Sequence, residues 1–385
     1  MMSEYSLRLG GVVWDRVEHR IDDGYVDHNK ESVDNYIAEL SKMALEFYDV
    51  ASPVELIAKK RKSSIDYDNP ATKRMCDDIA RFDEWLAIMP TALALEPLTS
   101  PDDRPEGNSP WSDEWLPITH NCCDAIGLRS RIAMANSIMQ REVDRAVEDH
   151  ERAAILSLAC GAAKQVIGLA DKNCRSGTTV DLSLVDIDPR PLDMARREAK
   201  AVHLPVSIYR RNIVDLDGFQ HFHWGSRDAV LGALSDLAHH HVPNITTLRQ
   251  QSMDVVDILG FFEYLLNVER WHFSYANVFG RRKHSLQAGA PLFLSMAWRM
   301  VAPGGILLFG NMNRSDGDRQ PRPQLGFTLG VIQWPHIQPR DCDEVTDIVK
   351  SAIALGLVDV DSISQAEMHT SPDGIYNVYV LRKAD

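Results

Sequence analysis

The sequence predicts an α/β fold: a doubly wound sheet of seven strands with an antiparallel last strand, plus a helical N-terminal extension. Three observations carry this. From Ala154 onward, short runs rich in Val, Ile and Leu alternate with amphipathic helical segments, the pattern of βαβ units around a parallel sheet. The last two strand candidates are separated only by "AEMHTSPDG", which makes them an antiparallel hairpin. The first hundred residues place apolar side chains at helical spacing and show no convincing strand.

In the extension, Val33, Tyr36, Ile37, Leu40, Met43, Ala44 and Phe47 lie on one helical face. Ser52, Pro53 and Glu55 form a helix start with a capping box. A further amphipathic stretch runs from about Thr72 to Met89. The segment from Glu96 to His120 is rich in Pro, Ser, Asp and Gly yet carries Trp111 and Trp115, so it reads as an ordered loop across a boundary. The division expected is 1–120 for the extension and 121–385 for the α/β domain. A long helix is expected from about Asp124 to Glu148. The strands expected after it are Ile155–Leu158, Asp181–Asp186, Val206–Arg210, Val255–Leu259, Gly305–Gly310, Val358–Gln365 and Tyr376–Leu381.

The 385 residues carry 44% hydrophobic and 25% charged side chains, ordinary globular values, and a formal net charge of -14. That balance argues against a nucleic-acid partner, which needs a basic face. The one dense basic run, Lys59 to Lys62, reads as a solvated helix face. Six scattered cysteines fit neither a disulfide scaffold nor zinc ligand spacing. The N-terminal stretch lacks a signal-peptide core, and no apolar run approaches the roughly 20 residues of a membrane span. A cytoplasmic protein without a membrane partner is the expectation.

Ligands of doubly wound sheets bind at the carboxyl ends of the strands. After the first strand comes "ACGAA", whose small side chains let a ligand approach the main chain before a helix N-terminus. After the second comes Asp186, about 25 residues beyond Gly161, placed to accept hydrogen bonds from a ribose diol. The GxGxxG set that admits a pyrophosphate is missing: Ala159 and Ala163 stand where glycines might be. A ligand with an adenosine and no phosphates tolerates that change.

"ILSLACGAA", "LSLVDIDPRPLDMARREA", "MDVVDILGFFEYL" and "WRMVAPGGILLFGNM", in that order, resemble the motifs of class I S-adenosylmethionine-dependent methyltransferases. In that family a Pro-Gly-Gly turn leads into the fifth strand, and a terminal hairpin completes a Rossmann-like sheet. The resemblance covers Asp124 to Asp385, about two thirds of the chain. It implies S-adenosyl-L-methionine as cofactor. Ala159, Cys160, Gly161 and Ala162 would line its methionine part, and Asp186 would hold the ribose hydroxyls with Ile187 and Asp188 close to the adenosine. Asn212 and Ile213 would border the adenine, and Gly260 and Phe261 would lie under the sulfonium. The departure is in the loop: family members often have an acidic residue and three glycines there, where this chain has Cys160 and one glycine.

Catalytic candidates follow from position. Methyl transfer mainly needs alignment, worth roughly 7–11 kcal/mol, and a base only where the acceptor must lose a proton. Beyond the fourth strand stand Glu263, Tyr264, His272 and Tyr275. Glu263 reads as an acceptor-orienting group or base, or as a solvent-facing residue. Tyr264 reads as a ring against the sulfonium or as core. His272 reads as a catalytic group or as a packed side chain. Asn311, Asn313, Trp334 and His336, in the long insertion after the fifth strand, suit a pocket for a small polar molecule. Arg129 and Arg131, on the helix before the first strand, reach toward the methionine carboxylate or stay solvated. His221, His223 and His239 to His241 have no spacing that supports a metal site, so no metal is expected.

The leading expectation is a small-molecule methyltransferase of specialised metabolism. One alternative keeps the cofactor and uses its aminocarboxypropyl arm, transferring it or closing it into an azetidine or cyclopropane amino acid and releasing methylthioadenosine, with the cofactor as sole substrate. A second is a non-catalytic binding module on the same fold. The extension reads as a lid or as a homodimer surface, and a lid excludes water from the sulfonium.

Overall fold

The alternating apolar runs after Ala154 become a sheet in a computed structural model that describes residues 12–59, 65–89, 92–101, 113–210, 252–265, 272–278, 281–287, 289–314, 324–334, 337–354 and 357–385. Its strands are β1 (Asp15–Glu18), β2 (Arg152–Leu158), β3 (Thr179–Asp186), β4 (Val206–Arg210), β5 (Met253–Ile258), β8 (Val301–Met312), β9 (Ile363–Thr370) and β10 (Tyr376–Lys383). They lie in the order β1-β9-β10-β8-β5-β2-β3-β4. Strands β2, β3, β4, β5 and β8 pair in parallel, and β10 runs antiparallel to both β8 and β9. A separate antiparallel ribbon joins β6 (His272–Val278) to β7 (Arg281–Gln287).

The sheet has eight strands, not the seven expected, because the N-terminal segment contributes β1, parallel to β9. Its sequence, Asp-Arg-Val-Glu, hides it. A charged, exposed edge strand has no alternating apolar face to betray it, and charge on an edge discourages pairing with other chains. Strand β9 lies later than the expected Val358–Gln365, because Val360–Ser362 turns under an Asp359 cap. The residues that do pair, "ISQAEMHT", have weak β-propensity and owe their conformation to neighbours on both sides.

Helices cover both faces. On one lie α7 (Cys123–His150), α8 (Lys164–Arg175) and α9 (Pro189–Ala201); on the other lie α10 (Ala290–Met300) and α11 (Cys342–Ala354). Strand residues divide between them with period two: Ile306 and Leu308 pack on the first side, Leu307 and Phe309 on the second.

The extension supplies α1 (Lys30–Phe47), α2 (Pro53–Lys59), α3 (Pro70–Asp78), α4 (Phe82–Ile88), α5 (Ala92–Thr99) and α6 (Leu116–Asn121). The stretch from Thr72 to Met89 is two helices, broken where Arg81 takes φ 64°. Asn69 starts α3 by accepting the Ala71 N–H at 3.0 Å, with Pro70 at the first position. These helices share one core with Met312, Tyr376 and a π-helical segment, Gly326–Val331, of the insertion after β8. The extension therefore sits over the carboxyl ends of the central strands. No helix among the described residues is long and apolar enough to cross a membrane.

Candidate functional site

The chain runs from β2 outward to β4, then returns to β5 and runs the other way, so strand order reverses between β2 and β5. Such a reversal opens a crevice at the carboxyl ends of the two strands. Ala159–Ala163 forms one lip. Ala159, Gly161 and Ala163 have φ 51°, 57° and 52°, so two alanines adopt the left-handed backbone that glycine takes freely. Each alanine there costs about 1–2 kcal/mol, and the surroundings hold it in place. Cys160 N–H donates to Val185 O at 3.1 Å and Ala163 N–H to Cys160 O at 3.0 Å.

Asp186 fastens this loop to the next. One carboxylate oxygen accepts the Gly161 N–H and the other the Asp188 N–H, both at 2.9 Å. The residue expected to hold the ribose is thus also the clamp of the first loop, and a carboxylate with about four acceptor positions has room for both. Asp188 caps α9 through the Arg190 N–H at 3.0 Å and pairs with the Arg190 guanidinium at 2.7 Å, which holds its carboxyl below the usual range. Ile187 lies between them, 62% exposed, an apolar face at the crevice edge. Burial, with Asp186 and Asp257 nearby, pushes the Cys160 thiol up, which disfavours its thiolate. Asn212 and Ile213 lie outside the described residues.

Beyond β5, Gly260 lies against the first loop: a Cβ there would meet Ala159 O at 3.8 Å. The Phe261 ring packs on Phe293 with centroids 5.3 Å apart. Glu263 is buried rather than solvent-facing. Arg131 Nη1 donates to its Oε1 at 3.2 Å and Met312 N–H to its Oε2 at 3.3 Å. Burial pushes its carboxyl up against the pull of Arg131. Arg131 is also buried, its guanidinium carbon 4.5 Å from the centre of the Tyr376 ring. Gly310 makes room for it, since a Cβ there would stand 3.2 Å from Arg131 Cδ. Arg131 Nε has no hydrogen-bond partner among the described residues. A buried guanidinium N–H of this kind is a donor for which the described residues supply no acceptor.

The other candidates divide. Tyr264 packs against the shared core, and its hydroxyl accepts the Trp334 Nε1–H at 2.5 Å, so both rings belong to the junction of extension and insertion. Arg129 is neither solvated nor in the crevice: it pairs with Asp23 at 2.8 Å and donates to the carbonyls of Leu98, Thr119 and His120. Asn311 is buried and accepts from Arg340 at 2.9 Å; Asn313 donates to Gly374 O at 2.8 Å. Asn311 thus ties β8 to the far end of the insertion, and Asn313 ties it to the turn between β9 and β10. The backbone of His272 opens β6; its side chain, like His336, His221, His223 and His239 to His241, lies outside the described residues.

Sequence reasoning missed Asp257, Arg340 and Tyr376. Asp257 had a signal, an acid inside the apolar run "MDVVDIL". Arg340 is buried beneath β5, donating to Phe262 O at 3.3 Å and to Leu265 O, and burial pulls its guanidinium down to about 10.

The extension is seated against the insertion by close approach of the two segments. A Cβ on Gly326 would lie 2.9 Å from Ser41 Cβ, and one on Gly330 2.8 Å from Ala44 Cβ. Asn69 Nδ2 donates to Gly330 O at 2.8 Å and the Thr72 hydroxyl to Val331 O at 2.7 Å. Lys164, at the start of α8, pairs with Glu96 of α5 at 2.8 Å, so the extension also touches the lip of the crevice.

Among solved structures the chain is similar to a possible exported protein from Bordetella parapertussis, across 92% of this chain and 97% of that one, at 12% identity and a TM-score of 0.53. That likeness is one of fold. It is also similar to the CMeT domain of the citrinin polyketide synthase, over 94% of this chain and 91% of that one, at 12% identity and a TM-score of 0.45. A third is 1,6-didemethyltoxoflavin-N1-methyltransferase from Burkholderia thailandensis, with bound 1,6-didemethyltoxoflavin and S-adenosylhomocysteine. It matches over 66% of this chain and 79% of that one, at 13% identity and a TM-score of 0.36. No family model matches the sequence, and no curated protein matches it.

Proposed function

We propose that the chain is an S-adenosylmethionine-dependent enzyme that methylates a small molecule of specialised metabolism. One observation carries this reading. At the strand reversal, Asp186 clamps a loop of small residues, and the Nε–H of the buried Arg131, beyond β5, has no acceptor among the described residues. The loop admits an amino-acid chain close to its backbone, Arg131 offers a donor to a carboxylate, and Asp186 with Ile187 offers an acid and an apolar face to an adenosine.

When bound, the cofactor supplies a methyl carbon activated by a positive sulfur. The work left to the protein is alignment and exclusion of water. Glu263 holds Arg131 in place, so in this reading it is a positioning residue rather than a base. Gly260 and Phe261 form the floor next to the first loop, and the extension closes the site from above.

The test is incubation with S-adenosylmethionine, alone and with candidate acceptors, following binding by calorimetry and products by mass spectrometry. Binding, with S-adenosylhomocysteine formed only when an acceptor is added, is the expected outcome. Methylthioadenosine formed from the cofactor alone would replace methyl transfer by aminocarboxypropyl chemistry, and failure to bind would reject the cofactor.

A further inference from the structure

Ser157 of β2 and Asp257 of β5 are register partners directly across the strand reversal. The Ser157 hydroxyl donates to one oxygen of Asp257 at 2.8 Å, and the Leu259 N–H donates to the other at 2.9 Å. Both donors are neutral. Asp257 is 5% exposed and makes no ion pair among the described residues; Arg131, the nearby guanidinium, gives its hydrogen bond to Glu263 instead. A buried carboxylate held only by neutral donors is an unfavourable element of a resting fold. Burial pushes its carboxyl up, with Arg131 only partly opposing that. The acid lies beneath the first loop, close enough to Cys160 to bear on its thiol.

Near the carboxyl end of β5, then, lie two groups that the described residues leave without a partner of opposite charge or kind: the Asp257 acid, which has no cation paired to it, and the Nε–H of nearby Arg131, which has no acceptor. We infer that Asp257 is a ligand-binding residue that receives the ammonium of an α-amino-acid head, opposite Arg131, which receives the carboxylate. The inference rests on the S-adenosylmethionine reading and deepens it, since that reading assigns no residue to the amine. The hydrogen bonds from Ser157 and Leu259 aim the carboxylate, and the remaining acceptor positions are left for the ligand.

Calorimetry with three ligands tests it: S-adenosylhomocysteine, its analogue lacking the α-amino group, and methylthioadenosine, which has no amino-acid head. The unmodified protein should bind S-adenosylhomocysteine at least about tenfold more tightly than the deaminated analogue. Asp257→Asn, which keeps the size of the side chain, should bind those two alike and methylthioadenosine as the unmodified protein does. Equal affinity of the unmodified protein for the first two ligands would overturn the assignment, as would an equal loss for all three in Asp257→Asn. If the variant does not fold, the comparison in the unmodified protein decides alone. Failure of that protein to bind any of the three would reject the cofactor reading itself, and the assignment with it.

Discussion

Gly330→Ala tests whether the extension is seated by backbone contact. The new Cβ would stand 2.8 Å from Ala44 Cβ on α1 and 3.3 Å from Leu56. A relaxed carbon–carbon contact begins near about 3.5 Å, so the segments must part by roughly 0.7 Å. They are not free to part, because Asn69 and Thr72 bond the carbonyls of Gly330 and Val331 on the same segment. Overpacking of this kind costs about 1–3 kcal/mol. Ala44→Gly alone also destabilises, by about 1 kcal/mol through helix propensity, but it removes the obstructing methyl. The double variant should therefore be about as stable as Ala44→Gly alone, with a coupling of about 1–3 kcal/mol between the sites. Urea denaturation of the four proteins measures this directly. Strictly additive effects, or no loss in Gly330→Ala, would refute close backbone approach as the basis of the seam.

Two other predictions concern single residues. Ala163→Gly should stabilise the protein by roughly 0.5–1 kcal/mol, because relief of left-handed strain exceeds the greater freedom of glycine in the unfolded chain. Ala162→Gly, where φ is not positive, should destabilise it by a similar amount, and equal melting shifts for the two would contradict the strain at Ala163. Glu367, bonded by His369 and Arg141, has its carboxyl held down to about 2 from 4.5. Its contribution is full above about pH 4.5 and is lost as pH falls toward 2; melting curves across that window should show a steeper acid loss in the unmodified protein than in Glu367→Gln, and parallel curves would disprove the pairing.

The sequence was most legible where period and position coincide. Strand–helix alternation placed β2, β3, β5, β8 and β10 because residues buried on both faces leave long apolar runs, and it placed β4, a half-buried edge strand, by its spacing alone. Position after the strands singled out Ala159–Ala162, Asp186 and Gly260, and Asp186 and Gly161 do meet. What stayed hidden depended on partners distant in the chain. Nothing local in Asp-Arg-Val-Glu announces an edge strand, and nothing in the sequence around Arg129 announces Asp23. Gly326 and Gly330, four residues apart in an apolar run, hinted at close approach without naming Ser41 and Ala44. Asp257 was visible as an acid in an apolar strand; its meaning came only with Ser157 opposite.

The position of β1 bears on how the molecule is made. The strand pairs with β9, and His19 beyond it bonds the His369 ring at 2.7 Å, across 350 residues of chain. A ribosome adding about 5–20 residues per second needs roughly 20–70 s between those two histidines. Through that interval β1 has no edge to join, and the helices after it also wait for Met312, the Gly326–Val331 segment and Tyr376 to complete their shared core. Its charged residues keep the waiting segment hydrated and unattractive to other edges. The sheet is thus finished at its outer margin by β1, in a step that follows synthesis of β9, some 350 residues later.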